Sequence, residues 1–204
     1  MKSATCLAFA FLLIAASVVS AQQPPAAAGG QTIGLAVGLQ RSYAGVKANL
    51  TEAAEKLADA DYTYRPSPAI RPYGGQFAHT ANSQFNACAA AKGEPNPNGT
   101  ANLEQTKTTR ADIVKALADS FAYCDPVFAA LTDQSALELV RQGQNQVARG
   151  SVLANLIAHS NEEYGVITVY LRTKNIVPPS TERAQRGRGM GGNQGTAPPA
   201  GRGQ

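Results

Sequence analysis

The stretch Thr32–Leu57, TIGLAVGLQRSYAGVKANLTEAAEKL, contains the most regular apolar pattern in the chain. Its apolar positions recur at alternating steps of three and four residues, the spacing that places side chains on one face of an α-helix. This seam consists of Ala36, Leu39, Tyr43, Val46, Leu50, Ala53 and Leu57. An unbroken seam of this length predicts an amphipathic helix that buries one face against other helices.

A second helix is predicted from about Gly75 to Lys92, after a connection in which Pro66, Pro68 and Pro72 exclude regular helix. Its apolar stripe contains Phe77, Ala81, Phe85 and Cys88. Gly93 and the turn-rich residues after it end the helix. The proline-rich connection before this helix is therefore long.

Two further helices are predicted in the second half of the chain. One begins at the capping box Thr109–Asp112, and Pro126 near its end predicts a kink or a new helix capped by Asp125. The last helix ends near Lys174. Its seam consists of Val152, Leu156, His159, Glu163, Ile167 and Tyr170.

Between these two helices, residues 132–150 have a weaker pattern, which predicts one short helix around Ala136 to Arg141. No run of alternating apolar residues indicates a sheet. Four amphipathic helices with long connections between them therefore predict an all-α fold, a four-helix bundle.

The first 21 residues have the features of a signal peptide. Lys2 precedes an apolar run from Leu7 to Val19, and small residues lead to a cleavage site after Ala21. An uncleaved membrane anchor is the alternative, but the run is short for a span. The prediction is an exported protein, periplasmic or secreted, without a stable membrane anchor, in which residues 22–31 form a flexible segment before the domain 32–179.

Residues 180–204 are rich in Gly, Arg and Pro without apolar periodicity, which predicts a disordered tail. Four arginines and one glutamate give this segment a net charge of +3, and Lys2 adds the remaining unit of the net charge of +4 of the whole chain. The domain between them is neutral, so nucleic-acid binding by the folded domain is not expected. Weak binding by the tail is the alternative, and an inert tail is favoured over it.

Two of the three cysteines, Cys88 and Cys124, remain after processing. In an exported protein an even number of cysteines favours a disulfide over free thiols. Both lie on the apolar seams of their helices, so a bridge between them would join the second predicted helix to the third.

The chain contains two histidines, His79 and His159. Glu163 lies four residues after His159, on the same helical face, and both occupy a core seam. A buried imidazole and carboxylate need a metal, a salt bridge or a water-filled cleft. His79 lies away from the apolar stripe of its helix, on the face of Asn82 and Asn86.

Six segments together resemble one known family. They are RPYGG at 71–75, GQFAH at 75–79, CAAAKG at 88–93, SFAYCD at 120–125, HSNEEYG at 159–165 and YLRTKNIVPP at 170–179. The two histidine segments, at 75–79 and 159–165, resemble the DinB-like (DinB/YfiT-like) metalloenzyme superfamily, and the other four, in this order, more narrowly resemble an exported branch of it. The resemblance extends from about Thr32 to Pro179.

The resemblance implies a four-helix bundle in which three histidines bind a divalent metal, often zinc, nickel or iron, that supports hydrolysis or activates a low-molecular-weight thiol for transfer. The implied ligands here are His79, His159 and Glu163. The family pattern has a third histidine at the position of Glu163. A set of two histidines and one carboxylate is a legitimate metal site. The alternative is a degenerate site in a non-catalytic bundle that binds a small ligand or a partner protein.

Other residues are secondary candidates. Tyr164, Arg71 and Gln76 are candidates for contacts behind the ligands or with a small-molecule substrate, although structural roles are favoured for all three. Glu162 is expected to face solvent, because it lies about 100° around the helix from Glu163. A homodimer is a further expectation.

Overall fold

The computed structural model describes residues 32–191, with side chains up to residue 188. The predicted signal peptide, the flexible segment 22–31 and residues 192–204 lie outside the described residues. The elements in chain order are α1 (Leu35–Ala54), a 3-10 turn (Asp59–Asp61), α2 (Tyr73–Lys92), α3 (Leu103–Thr106), α4 (Arg110–Ala129), α5 (Asp133–Ala136), β1 (Leu139–Gln142), β2 (Asn145–Ala148), α6 (Arg149–Thr173) and α7 (Pro179–Gly191).

The four long helices α1, α2, α4 and α6 form a bundle, so the predicted all-α fold is confirmed. Helix α2 packs against α4 and α6, and α1 packs against the same two helices. Helices α1 and α2 therefore occupy diagonal positions around the core. Within the described residues, no helix is both long and apolar enough to cross a membrane.

The seam of α1 faces the core as the periodicity predicts. Leu39 is half-buried and the other seam residues are buried, including Leu57, which follows the end of the helix at Ala54. The hydroxyls of Tyr62 and Tyr73 donate to the carbonyls of Ala54 and Ala53. These bonds satisfy carbonyls at the helix end and attach the start of α2 to it.

The new helix predicted after Pro126 is wrong, because α4 continues to Ala129. A proline inside a helix removes the hydrogen bond to the carbonyl four residues earlier, here that of Ala122. Ala122 is exposed, so water can satisfy this carbonyl. The side chain of Asp125 does not cap a new helix and instead accepts hydrogen bonds from Tyr43 and Lys47.

The short helix predicted around residues 136–141 is also wrong. Thr132 and Ser135 form a capping box that starts α5 earlier, and α5 ends at Ala136. Strands β1 and β2 then pair antiparallel, with Gln142 opposite Asn145. Gly143, the first of the two loop residues, has a φ of 61°, which is typical of a type II′ hairpin turn.

Disorder from residue 180 onwards was predicted, but residues up to Gly191 belong to helix α7. Its first turns make polar contacts that a composition argument does not detect. Tyr164 and Ser180 exchange hydrogen bonds of 2.9 Å, Lys56 pairs with Glu182 at 2.5 Å, and Arg183 pairs with Glu52 at 2.6 Å. The positive charge of Arg183 is thus neutralised within the fold.

A disulfide joins Cys88 of α2 to Cys124 of α4, with a Cα–Cα distance of 5.5 Å. Both cysteines are fully buried. The bridge therefore links two neighbouring helices across the interior of the bundle.

Candidate metal centre

The interface between α2 and α6 is unusually polar for a bundle. The two helices run antiparallel, since Gln76 contacts Tyr170 at one end and Gln84 contacts Ser160 further along. Gln76, Gln84 and Ser160 are all buried. His79, His159 and Glu163 lie in the middle of this polar interface.

The structure brings the three predicted ligands together. The Nε2 atoms of His79 and His159 lie 3.7 Å and 3.9 Å from the same carboxylate oxygen, Oε1 of Glu163. One ligand atom from each residue falls within 4.8 Å of the other two. The imidazole rings are 5.1 Å apart at an interplanar angle of 73°, so their nitrogen atoms converge without ring stacking.

Glu163 is buried without a strong partner among residues 32–188. Its side chain is only 8% exposed, and the two imidazoles beyond 3.5 Å are its nearest basic groups. No donor in the described part of the chain makes a hydrogen bond to its carboxylate. A buried carboxylate in this position is costly unless a cation compensates its charge.

A second carboxylate orients His79 from behind. Nδ1 of His79 lies 2.8 Å from Oε1 of Glu104, and Nε of Arg71 donates to Oε2 of Glu104 at 2.8 Å. Burial raises the pKa of the Glu104 carboxyl, but the hydrogen bonds from Arg71 and His79 outweigh burial and the pKa is lowered from its ordinary value. The ionised carboxylate only accepts, so Nδ1 of His79 carries a proton and Nε2 is the ring nitrogen that faces Glu163.

The single-turn helix α3 positions Glu104. Oδ1 of Asn102 caps this turn by accepting from the backbone N–H of Glu104 at 3.0 Å. The Asn82 side chain joins α2 to α3, because its Nδ2 donates to Asn102 and its Oδ1 accepts from the N–H of Leu103. Sequence reasoning missed Glu104; the only local signal is an asparagine cap two residues before it, which gives no indication of His79.

The secondary candidates have different outcomes. Arg71 contacts Glu104, which in turn contacts the ligand His79. Gln76 donates to Tyr170, and Tyr164 donates to Ser180. Gln76 and Tyr164 therefore have structural roles. Glu162 is 74% exposed and its carboxylate lies 3.8 Å from Nδ1 of His159, too far for a hydrogen bond. It faces solvent as the helical geometry predicts.

Two clefts lie beside the histidines. One, of about 340 Å³, is lined by His79, Glu104 and several asparagines of α2 and the connection after it. The other, of about 420 Å³, is lined by His159 and by residues of α2, α6 and the β-hairpin. Ser83 and Asn86 line both clefts, which therefore adjoin along α2.

Two of the three ligand-to-ligand distances fit a divalent cation, and all three ligand atoms lie within 4.8 Å of one another. Two ligand atoms at about 2.1 Å from one ion in a tetrahedral site are about 3.4 Å apart. The distances of 3.7 Å and 3.9 Å from the histidine nitrogens to Glu163 are within a few tenths of an ångström of that value. Two neutral imidazoles and one carboxylate leave further coordination positions open.

Comparisons with known proteins agree with this fold. A model of the DinB superfamily matches residues 43–167. A DinB-like protein from Bacillus cereus has a similar structure, with a TM-score of 0.59 and 15% identity over 70% of this chain and 94% of that chain. A DinB-like protein from Bacillus subtilis gives a TM-score of 0.53 and 16% identity over 69% of this chain and 94% of that chain. No curated protein matches the sequence.

Proposed function

The chain belongs to the DinB superfamily, and we propose that it is an exported protein that binds a divalent cation through His79, His159 and Glu163. The observation that supports this proposal best is the convergence of both Nε2 atoms on the buried carboxylate of Glu163. The family resemblance supports zinc, nickel or iron as the cation.

Each residue has a distinct part in the proposed centre. Glu163 supplies the negative charge that attracts the cation, and the two imidazoles supply neutral nitrogen ligands. Glu104 holds the proton of His79 on Nδ1, so that Nε2 is available. When bound, the cation supplies Lewis acidity at its open coordination positions.

Metal-assisted hydrolysis of a small substrate is the reaction class that we favour. Thiol or group transfer is the other reaction that the family resemblance implies, but low-molecular-weight thiol cofactors are cytosolic. Export is supported by the leader-like residues 1–21 and by the buried disulfide, since disulfides persist in oxidising compartments. The inference of export therefore favours hydrolysis.

Metal analysis of the purified protein tests the proposed centre. We expect protein made without a histidine tag to contain about one divalent ion per chain by plasma mass spectrometry, and His159→Ala to lose it, because two ligands bind an ion poorly. Circular dichroism of both proteins is the control for folding. Metal-free wild-type protein with an intact helical fold would instead support the non-catalytic binding bundle.

Glu104→Gln tests the orientation of His79. We expect the affinity for Zn²⁺ to fall about 10- to 100-fold, the usual cost of losing a carboxylate behind a metal-binding histidine. Competition with a chromogenic chelator measures this change. Glu55→Gln is the matched control, because it also removes a carboxylate from an arginine pair, that with Arg110, away from the three ligands. Equal affinities in the two variants would contradict a role for Glu104.

A further inference from the structure

We propose that the cleft beside His159 binds a small organic anion, with Arg141 of the β-hairpin recognising its anionic end. This inference rests on the proposed function, since the other end of the ligand would reach the cation. It goes further by naming a substrate class and the residue that selects it.

The charge of this cleft favours an anion. Among its described lining residues, Arg141 is the only lysine or arginine and there is no carboxylate. Nε of Arg141 donates to the carbonyl of Gly143 at 3.1 Å, which holds the side chain against the hairpin turn. Within residues 32–188 its terminal guanidinium nitrogens have no ion-pair partner, so they are free to bind a carboxylate in the bidentate manner.

The rest of the lining suits an apolar body between the two ends. Ala87 and Ala90 of α2 and Val152 and Leu156 of α6 contribute apolar surface. The side-chain amides of Gln142 and Asn155 make no hydrogen bond to any described residue. The cleft volume of about 420 Å³ lies within the range of small-molecule sites.

The neighbouring cleft beside His79 is a weaker candidate, because its polar groups already bind one another. Asn82 is bonded to Asn102 and to the backbone of Leu103, and Nδ2 of Asn96 donates to Asn86. The carboxylate of Glu104 is paired with Arg71 and His79. These contacts serve to fix α3, whereas the terminal guanidinium nitrogens of Arg141 have no ion-pair partner among residues 32–188.

Matched hydroxamate probes test the proposal on the purified full chain loaded with Zn²⁺. A hydroxamate binds the ion at one end; adipic and suberic monohydroxamates present a carboxylate at the other end, and their primary amides present a neutral group of the same size. By calorimetry we expect at least one carboxylate probe to bind about tenfold more tightly than its amide. Arg141→Gln should reduce this ratio to about one.

Arg65→Gln is the control, because Arg65 is exposed, lines neither cleft and carries the same charge. It should leave the ratio at the wild-type value. Bound Zn²⁺ is measured in every sample first. Protein that holds Zn²⁺ but shows no preference, or a preference that survives in Arg141→Gln, overturns the anion site alone. Protein that holds no Zn²⁺ overturns the proposed metal function and the anion site with it.

Discussion

Replacing Glu163 by glutamine should lower the affinity of the protein for Zn²⁺ by about a hundredfold or more. Loss of a direct ligand should reduce the affinity at least as much as loss of a carboxylate that only orients a ligand, which costs about 10- to 100-fold. The change keeps the shape of the side chain and removes its charge and most of its ligating strength. Both histidines approach Oε1 of Glu163, and among the described residues it is the carboxylate that groups with both of them. Titration against a competing chelator measures the change.

Glu162→Gln is the matched control, because it removes the same charge one residue earlier from a side chain that is 74% exposed. Its affinity for Zn²⁺ should stay close to that of the wild type. Without metal, Glu163→Gln should be at least as stable as the wild type, since it removes an uncompensated buried charge. Glu163→His, which restores the three histidines that the resemblance implies, should still bind Zn²⁺. Equal affinities in Glu162→Gln and Glu163→Gln would exclude Glu163 as a ligand.

The long helices were predictable from sequence because their signals are local. The seam of α1 and that of α6 repeat over many turns, and each repeat reports which side chains face the core. The antiparallel arrangement that places His79 beside Glu163 was not predictable from periodicity alone. It depends on how α2 and α6 pack, and only the family resemblance anticipated it.

The connections were predicted poorly for a physical reason. Helix α3 and the two strands of the β-hairpin contain four residues each. Elements of this length are too short to be stable alone or to be recognised from sequence. Asn82 of α2 fixes α3 through contacts across about 20 residues of sequence, and Arg149 ties the hairpin by donating to Glu138 and to Ala91. Glu104 and Arg141 both belong to these connections, so the groups around the ligands were the least visible in the sequence.

Helix α7 was predicted to be disordered because the contacts that stabilise it come from other parts of the chain. Its composition is polar and rich in arginine and glycine, which is typical of disorder. Its first turns are nevertheless fixed by ion pairs with Glu52 and Lys56 of the α1 region and by Tyr164 of α6. Ion pairs and hydrogen bonds with the α1 region and α6 stabilise these turns, although the segment has little apolar surface to bury. The composition of the segment carries no information about these contacts.

Reducing the disulfide between Cys88 and Cys124 should lower the free energy of unfolding by roughly 3–4 kcal/mol, the chain-entropy value for a loop of this length. The two cysteines are 36 residues apart in sequence. The loop contains the end of α2, all of α3 and most of α4, so the reduced unfolded chain gains the freedom of that whole segment. Urea unfolding followed by circular dichroism, with and without reductant, measures the difference in a Cys6→Ser background.

Reduction replaces the S–S bond by two thiols, so the two fully buried sulfur atoms must move apart to van der Waals contact. Cys88→Ala/Cys124→Ala is the control: its unfolding should not respond to reductant, and its stability should fall below that of the reduced protein because the sulfur atoms fill fully buried positions. The urea dependence should be steeper in the reduced protein, because an unlinked chain exposes more surface when it unfolds. Identical unfolding curves with and without reductant would show that the bridge contributes nothing to stability, and the ion pairs and core of the bundle would then have to account for the whole of it.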